Sequence, residues 1–155
     1  MSARRTLVFE SLDQVMPDVD RLLEGHETVG QWSLGQICHH LTVAMVGSMD
    51  KFPGAFPWIV RATIGPIVFR RMLSQGRMPE GVWLPKNAVP KPGLDARAEA
   101  EALRAAVRLY QGHSGPMAVH PFFGRLSREQ WDGLHKLHCA HHLSFALPKA
   151  AVASA

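Results

Sequence analysis

The stretch "SREQWDGLHKLHCAHHLSFALP", residues 127–148, decides the fold class. Ser127 and Gln130 make an S-x-x-Q capping box: the hydroxyl accepts from the third helical amide, and the glutamine reaches back to the cap amide. Trp131, Leu134, Leu137 and Phe145 then recur at helical spacing, which marks one apolar face. Pro148 supplies the stop. The spacing predicts a helix from Ser127 to about Leu147.

The same signals recur outward from it. In "WSLGQICHHLTVAM", residues 32–45, Ser33 and Gln36 form a second capping box. Leu34, Ile37, Cys38, Leu41, Ala44, Met45 and Ser48 follow at helical spacing, predicting a helix that ends near Met49 or Asp50. A third helix opens at Asp95 as N-cap, draws high propensity from Ala and Leu, and stops near Gly112. The first spans 5–23, with Leu7, Val8, Leu12, Val15, Val19, Leu22 and Leu23 in register, and Pro17 is expected to kink or split it. Residues 56–73 read as one helix interrupted at Pro66 or as two short ones. The segment "RMPEGVWLPKNAVPKPGLD", residues 77–95, has four prolines and reads as an extended crossover. No alternating strand pattern and no internal repeat appears. The expectation is an all-α four-helix bundle, one domain over residues 1–155, with a long connection between its second and third main helices.

Composition narrows the function. At 155 residues, 46% hydrophobic and 19% charged, the chain is of globular type. The net charge of +4 is mildly basic. Arg61, Arg70, Arg71 and Arg77 gather in the middle, but no nucleic-acid motif accompanies them, so no nucleic-acid partner is expected. A solvated face is the reading, and an acidic substrate or a membrane surface is the alternative. The longest apolar stretch, "AFPWIVRATIGPIVF", is broken by Arg61, Gly65 and Pro66 and falls short of a membrane span. The N-terminus shows no secretory leader pattern, and a cytoplasmic protein without a membrane partner is expected. The two cysteines, Cys38 and Cys139, have no C-x-x-C spacing and read as small buried hydrophobes.

The histidines carry the functional question. Four of nine lie in residues 134–145, and His39 and His40 lie in the second helix. On a wheel of about 100° per residue, His39 falls roughly 160° from the apolar centre of the second helix and should face water. His40 falls roughly 100° away, on the flank of the buried stripe. On the last helix His138 lies close to the stripe centre. His142 follows at i+4 and His141 at i+3, while His135 sits on one flank. An i,i+4 histidine pair can offer two ring nitrogens to one metal, and one histidine from a facing helix would complete a three-ligand site with open positions. The pattern is not the H-E-x-x-H of a zinc protease. A Cys–His nucleophile has no visible orienting group.

These motifs resemble the DinB-like (DinB and YfiT) superfamily of metalloenzymes. "WSLGQICHHLTVAM" resembles its second helix, where a single histidine precedes an aliphatic residue, here His40 before Leu41. "HCAHHLSF" resembles its last-helix H-x-x-x-H, here His138 and His142. The opening stretch is similar to a branch whose domain has no assigned function. The resemblance implies an up-up-down-down four-helix bundle in which His40, His138 and His142 bind a divalent metal, zinc or nickel. It chooses His142 over His141. It implies a small-molecule or thiol substrate, a metal-dependent hydrolase or thiol-dependent transferase, and allows a homodimer. The chain departs from the family where Leu143, Ser144 and Phe145 replace the frequent Gln or Arg after the last histidine. In such an enzyme Trp83, Phe122 and Phe123 would wall the substrate site. His113 and His120 would carry protons or, more commonly for loop histidines, face solvent. His135 and His141 would be neighbours of the ligands. The competing readings are a non-catalytic ligand-binding bundle and a structural dimer packed through residues 56–69.

Overall fold

The computed structural model describes residues 3–80 and 88–150. Among them are six α-helices: α1 (Val15–Glu24), α2 (Leu34–Met49), α3 (Trp58–Ala62), α4 (Ile64–Gln75), α5 (Ala96–Gly112) and α6 (Arg128–Leu143). Two short strands, β1 (His26–Thr28) and β2 (Ala146–Pro148), pair antiparallel with His26 opposite Pro148. The fold is mostly helical, as expected, with this one ribbon added.

The local signals explain most helix ends. Both capping boxes form, Ser33 with Gln36 and Ser127 with Gln130. Asp95 caps α5 by accepting from the Ala98 amide at 2.7 Å. The first helix is shorter than its apolar period predicts. Residues 3–9 form no regular secondary structure, a 3-10 turn covers Leu12–Gln14, and the α-helix starts at Val15. Pro17 therefore falls in the first turn, where its missing N–H is not needed, and the helix runs unsplit to Glu24. Likewise the middle segment breaks at Thr63, leaving Pro66 in the first turn of α4. The last helix ends at Leu143, four residues before the expected end, because residues 146–148 leave to pair with β1.

The core joins Leu34, Ile37, Leu41 and Met45 of α2 to Leu103, Val107 and Tyr110 of α5, Trp131, Leu134 and Leu143 of α6, and Val15, Val19 and Leu22 of α1. Helix α2 packs most extensively on α5, and also on α6. Its first turn is docked from outside. Gln36 donates to the Pro90 carbonyl at 2.9 Å, and Gly35 lies against the backbone of Leu94. A Cβ at position 35 would run into the Leu94 carbonyl oxygen. Gly35→Ala is therefore expected to destabilise the protein by about 2 kcal/mol, read as a lower urea midpoint, despite alanine's better helix propensity.

The N-terminal arm fixes the end of α6 that lies beside the start of α2. Arg5 makes a two-pronged ion pair with Asp18 at 2.7 and 2.5 Å, and donates to the Leu143 carbonyl at 3.2 Å. The Arg5 amide donates to the Ser144 carbonyl at 3.1 Å. A guanidinium at a helix C-terminus meets the negative end of its dipole. These contacts hold the last turn of α6, the turn that carries His142.

Candidate metal centre

Helices α2 and α6 bring three histidines together. His40 comes from the middle of α2, and His138 and His142 from successive turns of α6. The Nε2 atoms of His40 and His138 are 3.0 Å apart. One ligand nitrogen from each of the three rings lies within 4.8 Å of the others, so the group is able to hold a metal ion. Around a tetrahedral ion with bonds of about 2.0–2.1 Å, ligand nitrogens sit about 3.3 Å apart. The first pair is already near that value, and small ring rotations would bring in the third.

Packing orients the rings. The centroids are separated by 4.9 Å for His40–His138, 4.6 Å for His40–His142 and 4.7 Å for His138–His142. Trp32, one residue before the Ser33 cap, folds over them. Its ring stacks on His142 at 5.3 Å with a 10° interplanar angle, and meets His40 at 5.0 Å. Trp32 thus covers the cluster with a flat apolar wall, and its position follows from the capping box that turns the chain into α2.

Burial sets the protonation state. Desolvation, with the neighbouring imidazoles adding to it, pulls His40 down to about 4 and His142 to about 2, and holds His138 well below its ordinary value. All three rings are neutral near pH 7, the form in which imidazole donates a lone pair to a metal.

The remaining histidines separate by environment. His39 is partly exposed and pairs with Glu99 of α5 at 3.0 Å, on the outer side where its wheel angle put it. His141 packs edge-on to His142 at 4.9 Å, and burial lowers its pKa. His135 is not on a flank but in the core, 2% exposed, with Nε2 3.0 Å from the Ser48 hydroxyl. Since that hydroxyl donates to the Met45 carbonyl at 2.6 Å, it accepts from His135. The wheel erred because it counted Phe145, which lies beyond the end of α6, and Leu137, which is only half-buried.

His120 is not a solvated loop residue either. Its Nδ1 accepts from the amides of Phe122 and Phe123 at 3.1 and 3.0 Å, and its ring stacks on Phe123 at 4.4 Å. Burial lowers it to about 4. His113 closes a local turn against the Pro116 carbonyl at 3.2 Å. Neither meets the three-histidine group. Phe122 and Phe123 pack on Phe56 and Phe69, so the aromatic wall at the site is Trp32 instead. Trp83 lies outside the described residues. Cys38 and Cys139 are free, buried thiols pushed up to about 12 by desolvation, the opposite of an activated nucleophile.

Residues 1–149 match the family model described as Protein of unknown function (DUF1569). The chain belongs to the DUF1569 family. No curated protein and no solved structure matches it. Within this DUF1569 chain the three-histidine group covered by Trp32 is the arrangement best suited to chemistry among the described residues.

Proposed function

We propose that His40, His138 and His142 bind one divalent metal ion, zinc or nickel, and leave a coordination position for a small molecule. The observation that carries this reading is the convergence of three neutral ring nitrogens from two helices. The donor set fits: imidazole suits zinc and nickel, and three protein ligands are the number used by catalytic sites. A bound ion supplies Lewis acidity, lowering the pKa of a coordinated water or thiol.

The chain's own residues set the rest. Trp32 excludes water from one side and offers an apolar surface to a ligand. The imidazoles stay unprotonated because they are desolvated. Among the described residues no carboxylate bonds the three rings, which argues against a zinc-protease type of base. This favours a metal-dependent hydrolase of another kind or a thiol-dependent transferase, on a single-domain, DinB-like bundle of α1, α2, α5 and α6 with up-up-down-down order. The alternative is a non-catalytic ligand-binding or dimeric bundle whose histidine site carries no metal.

Titrating zinc and nickel into chelator-treated protein by calorimetry tests the reading. One ion per chain is expected, with affinity lowered at least 100-fold in each of His40→Ala, His138→Ala and His142→Ala. Wild-type affinity in all three variants would refute it. A screen of low-molecular-weight thiols against the loaded protein then separates the transferase from the hydrolase.

A further inference from the structure

Residues 51–79 carry charge of one sign only. Lys51, Arg61, Arg70, Arg71 and Arg77 fall in this stretch, and no Asp or Glu does. The rest of the chain holds 12 Lys and Arg against 13 Asp and Glu, so the whole positive excess resides here. The same stretch exposes Phe56, Trp58, Ile59, Ile64, Ile67 and Leu73, half of the exposed large hydrophobic side chains among the described residues.

The fold presents the two sets together. Helix α3 buries none of its residues. Helix α4 buries Gly65, Phe69 and Met72, with Gly65 directly against the backbone of Phe122. Its outer face is Ile67 between Arg70 and Arg71 on the wheel, all three exposed. Trp58 is 70% exposed and Ile67 66%. Among the described residues, Arg70, Arg71 and Arg77 take no part in the ion pairs of the fold.

We propose that α3 and α4 form a docking surface for an anionic phospholipid bilayer, lying in the plane of the headgroups. Tryptophan and isoleucine would enter the headgroup–acyl boundary, and the arginines would meet lipid phosphates. Charge selects this occupant over a second copy of the chain. A two-fold interface on this face would place its cations against their own copies, with no acidic residue in the stretch to offset them. No helix among the described residues is long and apolar enough to cross a membrane, and surface docking requires none.

Cosedimentation of the full chain with vesicles tests this. Vesicles of phosphatidylcholine with phosphatidylglycerol are expected to bind the protein at low salt and to release it at high salt. Phosphatidylcholine alone is expected not to bind. The double variant R70Q/R71Q should lower the partition coefficient about 30-fold, and W58A about tenfold, through lost charge and lost apolar area respectively. Both variants should keep the wild-type circular dichroism and melting point, since these side chains meet solvent. No binding to the anionic vesicles overturns the proposal, as does binding unchanged by R70Q/R71Q. So does a dimer in sedimentation velocity that W58A dissociates, or preference for a single-stranded oligonucleotide over the vesicles.

Discussion

Chelating the metal proposed at His40, His138 and His142 is expected to lower the thermal unfolding midpoint by about 5–10 °C. An ion present at about 100 times its dissociation constant stabilises the native state by about 2.7 kcal/mol. In a chain of this size each kcal/mol shifts the midpoint by about 2–4 °C. The loss should be reversed by zinc or nickel, read by calorimetry or by circular dichroism at the helix band. His138→Ala also removes a ring packed between α2 and α6, so its own midpoint starts lower. The informative quantity is the difference with and without chelator, which should vanish in His40→Ala, His138→Ala and His142→Ala. A chelator shift that survives in those variants would place the metal elsewhere.

Stability is expected to fall steeply as the pH drops from about 6.5 towards 4. His120 is neutral in both states above its unfolded pKa of 6.5, and its full contribution is present there. Between 6.5 and about 4 only the unfolded chain takes up the proton, so stability is lost as pH falls. The span corresponds to about 3 kcal/mol for this one group. His135, which packs on the same Trp131 ring, is lowered to about 4 as well and acts in the same direction. Urea unfolding at a series of pH values, in chelator to keep metal release out of the slope, reads the effect. His120→Asn keeps an acceptor for the Phe122 and Phe123 amides and does not titrate. Its stability should depend on pH less steeply than that of the wild type by up to one proton near pH 5. An unchanged slope would mean that His120 is accessible to protons in the native state.

Helix starts were readable from local chemistry. Ser33 with Gln36, Ser127 with Gln130, and Asp95 each satisfy backbone amides within three residues, so no distant partner is needed to place them. Helix lengths were less readable. The first segment keeps an apolar period from Leu7 onward, yet Arg5 is drawn to Asp18 and to the end of α6, and residues 3–9 stay out of the helix. Residues 146–148 leave the last helix for β1, a pairing partner more than a hundred positions away. Both departures are tertiary contacts overriding local preference.

The site shows the same division. His40 against His39 followed from helical geometry, and the structure sets His39 on Glu99 at the outside. Choosing between His141 and His142 needed the resemblance, because both lie near one face. The role of Trp32 was missed although the residue stands in the quoted motif. Its position just ahead of a capping box was the available signal, since the chain must turn there and carry the indole back over α2. The buried rings of His120 and His135 gave no sequence signal: a loop histidine and a flank histidine pack against the same Trp131 ring, at 5.5 and 5.4 Å, only once the loop folds back onto α6.

The most direct test is elemental analysis of the wild-type protein purified without a histidine tag, beside the triple variant H40A/H138A/H142A. Close to one zinc or nickel is expected per wild-type chain, and none in the variant. A wild type free of metal that also binds none on titration, with a folded triple variant that melts like the chelated wild type, would contradict it.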